Sequence, residues 1–81
     1  MQDNGDEIAR IIDRVCHVAG IKTVAVDQDI YDAGMSSLHA LSLLLELEDT
    51  FAVAIPDTEF VKARTPRALL GVIASARGEA K

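Results

Sequence analysis

An all-α, four-helix bundle of three main helices and one short one is the fold this sequence predicts, and three observations predict it. Apolar residues recur at helical spacing in three stretches of the 81-residue chain. A Thr65-Pro66 pair and glycines at positions 20 and 78 fall where such stretches should begin and end. Residues 21–35 lack any helical period, which makes them a long connection between the first two main helices.

The first helix spans 7–19, where Ile8, Ile11, Ile12, Val15, Val18 and Ala19 share one face, and it stops at Gly20. In the connection that follows, Lys22 to Val26 has the composition of a short strand. A loop of some fifteen residues is long for a compact domain. Val24, Val26, Ile30 and Tyr31 are placed to pin it across the core, so it is expected to be ordered. Helix two covers 37–51. After Ile55-Pro56, Asp57 is expected to cap a short helix through Val61. Thr65 then caps the last helix, with Pro66 at its first position, Leu69, Val72, Ile73 and Ala76 as its buried stripe, and Gly78 as its close. Gly71 inside that helix costs about 1 kcal/mol relative to alanine, so packing must hold it together. The whole chain reads as a single domain with an ordered core of about 6–76 and frayed ends at 1–5 and 77–81.

A chain of this length buries only about 60–65% of its unfolded surface, so its stability is expected to be modest. The net charge of −5 and the scarcity of aromatics argue against nucleic acid, which requires a basic footprint or a stacking platform. Charge is unevenly placed. Between Thr23 and Val61 lie eight acids and no lysine or arginine, while the remainder holds five acids and eight bases. That middle segment is either a solvated acidic face or a field that steers basic partners. Cys16 is the only cysteine, so no internal disulfide forms, and a half-buried inert thiol is expected. The acidic start Met-Gln-Asp-Asn-Gly-Asp-Glu is unlike a signal peptide and no apolar run is long enough to span a membrane, so the expected location is cytoplasmic.

Helix two carries two apolar stripes. At 100° per residue, Ala40, Leu43, Leu44, Leu47 and Phe51 occupy an arc of roughly 140–240° from Leu38, whereas Leu38, Leu41 and Leu45 cluster at roughly 300–360°. The first arc is the core face. The second lies either beneath the long loop or in the open as a partner surface, bordered by Ser42, Glu48 and Asp49.

Ahead of this helix stands Gly34-Met35-Ser36-Ser37-Leu38. The first amides of a helix lack intrahelical partners, and the aligned peptide dipoles leave partial positive charge there, which favours a phosphate ester on a first-turn hydroxyl. Ser36 reads as the N-cap, which leaves the Ser37 hydroxyl free for attachment. Catalysis finds little support. His39 lies two residues after Ser37 and projects about 200° away from it, so the two cannot act as nucleophile and base. With His17 as the only other histidine, no zinc site of ordinary spacing exists, and no glycine-rich phosphate cradle is present.

Tyr31-Asp32-Ala33-Gly34-Met35-Ser36-Ser37-Leu38, Leu47-Glu48-Asp49-Thr50-Phe51 and Ile55-Pro56-Asp57, in that order around one serine, resemble the acyl carrier and peptidyl carrier proteins, small four-helix domains bearing 4′-phosphopantetheine. The match runs from about Asp29 to Asp57, and the helix pattern extends it to most of the chain. The resemblance implies that Ser37 forms the phosphodiester and that Met35, Leu38, Leu41, Leu45, Glu48 and Asp49 meet partner enzymes. It implies a freestanding, monomeric carrier that is not itself an enzyme, whose cofactor is covalent 4′-phosphopantetheine derived from coenzyme A. The partners implied are a phosphopantetheinyl transferase, an acyl- or aminoacyl-loading ligase and a downstream acyl transferase or synthase. The cargo thiol is the cofactor's, so Cys16 has no part. Ser36 replaces the aspartate common in fatty-acid carriers, His39 and Ser42 replace positions often acidic there, and Ala52 and Ala54 replace polar residues. These departures point to a dedicated pathway with an acyl or aminoacyl cargo rather than to general fatty acid synthesis. The alternative is an unmodified acidic helical adaptor that binds a basic protein through helix two.

Overall fold

The computed structural model describes residues 4–78. It consists of α1 (Asn4–Ala19), a 3-10 turn (Ser37–His39) that runs into α2 (Ala40–Phe51), a short α3 (Asp57–Lys62) and α4 (Pro66–Ala76). Among the described residues there is no strand, and Lys22 to Val26 is irregular backbone. The fold is therefore all-α. The expected fraying of 1–3 and 79–81 lies outside the described residues. At the ends that are described, α1 starts at Asn4, three residues before the expected start at position 7, and Arg77 is held by a bidentate pair to Glu7 at 2.8 and 3.0 Å. Glu7 is buried, and the Arg77 guanidinium that grips it holds its carboxyl below the usual glutamate range.

α1 turns Ile11 and Val15 into the core, with Ile12, Val18 and Ala19 packed at its edge. It ends where Gly20 adopts φ 70° and its N–H donates to the Cys16 carbonyl at 2.9 Å. Cys16 is half-buried, and desolvation pushes its thiol pKa up, away from reactivity.

The long loop is fixed from both sides. Val24, Ile30 and Met35 are buried anchors, while Val26 and Tyr31 are half-buried. Two backbone bonds sew the loop to the entrance of α4, Ile30 N–H to the Arg64 carbonyl (2.8 Å) and Arg67 N–H to the Val26 carbonyl (3.0 Å). Beside them Arg64 and Arg67 pair with Asp29 and Asp27, each at 2.7 Å, and both carboxyls are held below the usual aspartate range by these partners. Two of the eight acids of the middle segment are thus paired with arginines from later in the chain, and Glu46 is paired with Arg14 of α1 at 2.9 Å.

α2 crosses beneath α1 with Leu43, Leu44, Leu47 and Phe51 buried, as its core arc predicts, and with Ala40 only half-buried. Two expectations at α3 and α4 require correction. Pro56, not Asp57, is the N-cap of α3: its carbonyl accepts the Glu59 and Phe60 amides, so Asp57 is already inside the helix. Ala76, expected in the α4 stripe, is exposed because the helix finishes its core contact at Ile73. The α4 entrance is as expected, with Thr65 Oγ1 accepting from the Ala68 amide at 3.1 Å and Pro66 in the first turn. No helix among the described residues is long and apolar enough to cross a membrane.

Candidate functional site

The approach to the Ser37 turn is set by Gly34. Its φ of 131° is a conformation that side chains disfavour, and a Cβ there would stand 2.8 Å from Ile21 Cγ2. The tight turn drops Met35 into the core, where its amide donates to the Ile30 carbonyl at 3.0 Å. Met35 is only 2% exposed, which corrects the expectation that it meets partners. It is instead the peg that fixes the loop just ahead of the serines.

Ser36 then takes extended backbone (φ −92°, ψ 164°) at the N-cap position. A feature not anticipated is its partner. His39, three residues on, turns back so that its Nδ1 accepts the Ser36 N–H at 3.2 Å and lies 3.2 Å from Ser36 Oγ, the two residues forming a capping box. The signal was legible as Ser-x-x-His, but a histidine in place of the usual Glu or Gln obscured it.

Ser37 follows as the first residue of the 3-10 turn, exposed, with its carbonyl accepting the Ala40 amide. With Ala40, Leu41, Leu44, Asp57, Phe60 and Val61 it lines an open groove of about 280 Å³. These residues fit a covalently tethered arm: an accessible nucleophilic oxygen at a helix start, and apolar wall beside it.

The second stripe of α2 is open to solvent. Leu38, Leu41 and Leu45 are 88%, 65% and 56% exposed, and the long loop does not cover them. Val61 of α3 is exposed next to this stripe across the groove. Of the two acids expected to border the stripe, Asp49 is exposed and Glu48 is half-buried, its Oε2 accepting the Ile55 amide at 2.9 Å. Glu48 therefore ties the α2–α3 connection, where Ala52 adopts a left-handed φ of 55°. Among the described residues no three His, Cys, Asp or Glu side chains gather as a metal site.

An exposed first-turn serine flanked by bare leucines on a small helical bundle fits a carrier domain. A family model described as a phosphopantetheine attachment site matches residues 7–73, and the chain belongs to that family. Its fold is similar to the solution structure of the hexanoyl form of an acyl carrier protein from the actinorhodin polyketide synthase of Streptomyces coelicolor, with a TM-score of 0.69 and 29% identity over 94% of this chain and 92% of that one. No curated protein matches the chain. The domain is thus a carrier with a site of covalent 4′-phosphopantetheine attachment, and is not an enzyme itself.

Proposed function

We propose that Ser37 is the attachment residue and that the protein delivers a thioester-bound acyl group within a dedicated biosynthetic or modification pathway. The observation that carries this reading is the exposed Ser37, set beside an apolar groove and a stripe of three uncovered leucines. Ser37 Oγ forms the new phosphodiester bond by displacing the nucleotide half of coenzyme A, and its proton passes to a base on the transferase. Once attached, the arm supplies a terminal thiol that holds the cargo as a thioester. The chain's own residues do the rest: the turn presents the oxygen, and Leu38, Leu41, Leu45 and Asp49 offer a face on which successive enzymes dock, with Glu48 at its edge.

An apolar groove favours an acyl over an aminoacyl cargo, because a cationic ammonium gains nothing against leucine and phenylalanine. The similarity to an acyl carrier protein of a polyketide synthase supports the same preference. Tethering raises the local concentration of cargo at each partner's site, so modest docking affinity is enough. The partners proposed are a phosphopantetheinyl transferase, a loading ligase and a downstream acyl transferase or synthase, met by a monomer of one carrier domain. Against the alternative of an unmodified adaptor docking through α2 stands the match of residues 7–73 to a phosphopantetheine attachment site.

Incubation of the apo protein with coenzyme A and a broad-specificity phosphopantetheinyl transferase, read by intact mass, tests the assignment. The wild type is expected to gain one prosthetic group and Ser37→Ala none. Continued labelling of Ser37→Ala would move the attachment to another hydroxyl.

A further inference from the structure

We infer that His39 is a positioning residue for the loading of Ser37: its imidazole clasps Ser36 and holds the serine turn in the shape a transferase must grip. The inference rests on Ser37 as the attachment residue, but it concerns a different side chain.

Ser37 begins a 3-10 turn, not an α-helix. Its first bonds are His39 N–H to the Ser36 carbonyl at 3.0 Å and the Ala40 amide to the Ser37 carbonyl. Such i→i+3 bonds are of poorer geometry than α-helical ones, and a helix start without side-chain closure frays. Ahead of the turn, Gly34 and buried Met35 fix the chain. Behind it, Leu43 and Leu44 fix α2. Between these two anchors Ser36, Ser37 and Leu38 are all exposed, and the clasp from His39 is the side-chain bond that spans them.

An N–H donates only to a lone pair, so the clasp requires an Nδ1 that carries no proton. Nδ1 has one lone pair, which the Ser36 amide and hydroxyl share at 3.2 Å each. His39 does not touch the transferred group, because residues two apart on a helical turn diverge. Its action on Ser37 passes through the backbone alone. Loss of the clasp would lower the population of the grip-competent turn, and a binding-competent fraction below one raises apparent dissociation constants in proportion.

The test is steady-state loading of the apo protein by a phosphopantetheinyl transferase with coenzyme A, with the carrier concentration varied. His39→Ala is expected to raise KM about fivefold, the size of a lost helix cap, with kcat little changed. His39→Gln, whose carbonyl oxygen restores an acceptor at the same capping position, is expected to return KM to within about twofold of wild type. A His39→Ala protein with wild-type KM, or a His39→Gln protein as impaired as His39→Ala, overturns the proposal. Nitrogen-15 spectra of the wild-type imidazole near neutral pH give an independent reading that needs no variant to fold. A protonated Nε2 with bare Nδ1 supports the clasp, and the opposite tautomer refutes it. Labelling of Ser37→Ala would instead defeat the attachment assignment, so the two failures are distinguishable.

Discussion

α2 presents leucines on two faces, and the two faces have opposite fates. Leu43, Leu44 and Leu47 are buried with Phe51 in the core against α1, whereas Leu38, Leu41 and Leu45 stand in water. Residue type and helix propensity are the same on both sides. What differs is whether another element covers them, so one face contributes stability and the other is available to partners. The core face is even reinforced at its far end, where the Arg10 and Arg77 guanidinium groups lie 5.1 and 6.0 Å from the Phe51 ring centre.

Substitutions on the two faces should therefore separate stability from docking. The largest effect is expected from Leu47→Ala, which opens a cavity in a fully buried site and should cost about 3 kcal/mol, seen as a fall in denaturation midpoint of more than about 10 °C. Next comes Glu7→Gln, which weakens the clasp that closes the bundle beside Phe51. A loss of about 1 kcal/mol near neutral pH is expected, since Arg77 is partly exposed and solvent screens the pair. The pH dependence has a definite sign. Because the folded carboxyl titrates below its ordinary value of 4.5, the pair contributes fully above that value and its contribution is lost as pH falls through the lower folded one. Urea midpoints measured from pH 7 down to pH 3 should thus fall less steeply for Glu7→Gln than for wild type. The smallest stability change, within about 0.5 kcal/mol, is expected for Leu41→Ala on the open face. That same variant should slow loading or unloading by partner enzymes. A midpoint drop for Leu41→Ala as large as that for Leu47→Ala would erase the distinction between the faces.

A second contrast concerns charge. The middle of the chain looks like an uninterrupted acidic field when read in order, yet its first carboxylates meet arginines 35 and 40 residues downstream. Steering by long-range charge is correspondingly weaker than the sequence suggests, and the open face of α2 is left more apolar than acidic.

From residue order alone came the helices, the loop, the two stripes of α2 and the candidate serine, because each depends on periodicity or end chemistry within a few residues. Cap and proline at Thr65-Pro66, glycine closure at Gly20 and the angular separation of Leu38 from Leu47 are local facts of this kind. The tertiary structure decided everything that depends on what lies opposite. It left the second stripe uncovered, sank Met35 beneath the serine turn, bound Glu48 to the Ile55 amide and paired Asp27 and Asp29 with the entrance of α4. Periodicity fixes the direction in which a side chain leaves its helix, but only the packing of distant segments determines whether it meets solvent, a core or an opposite charge.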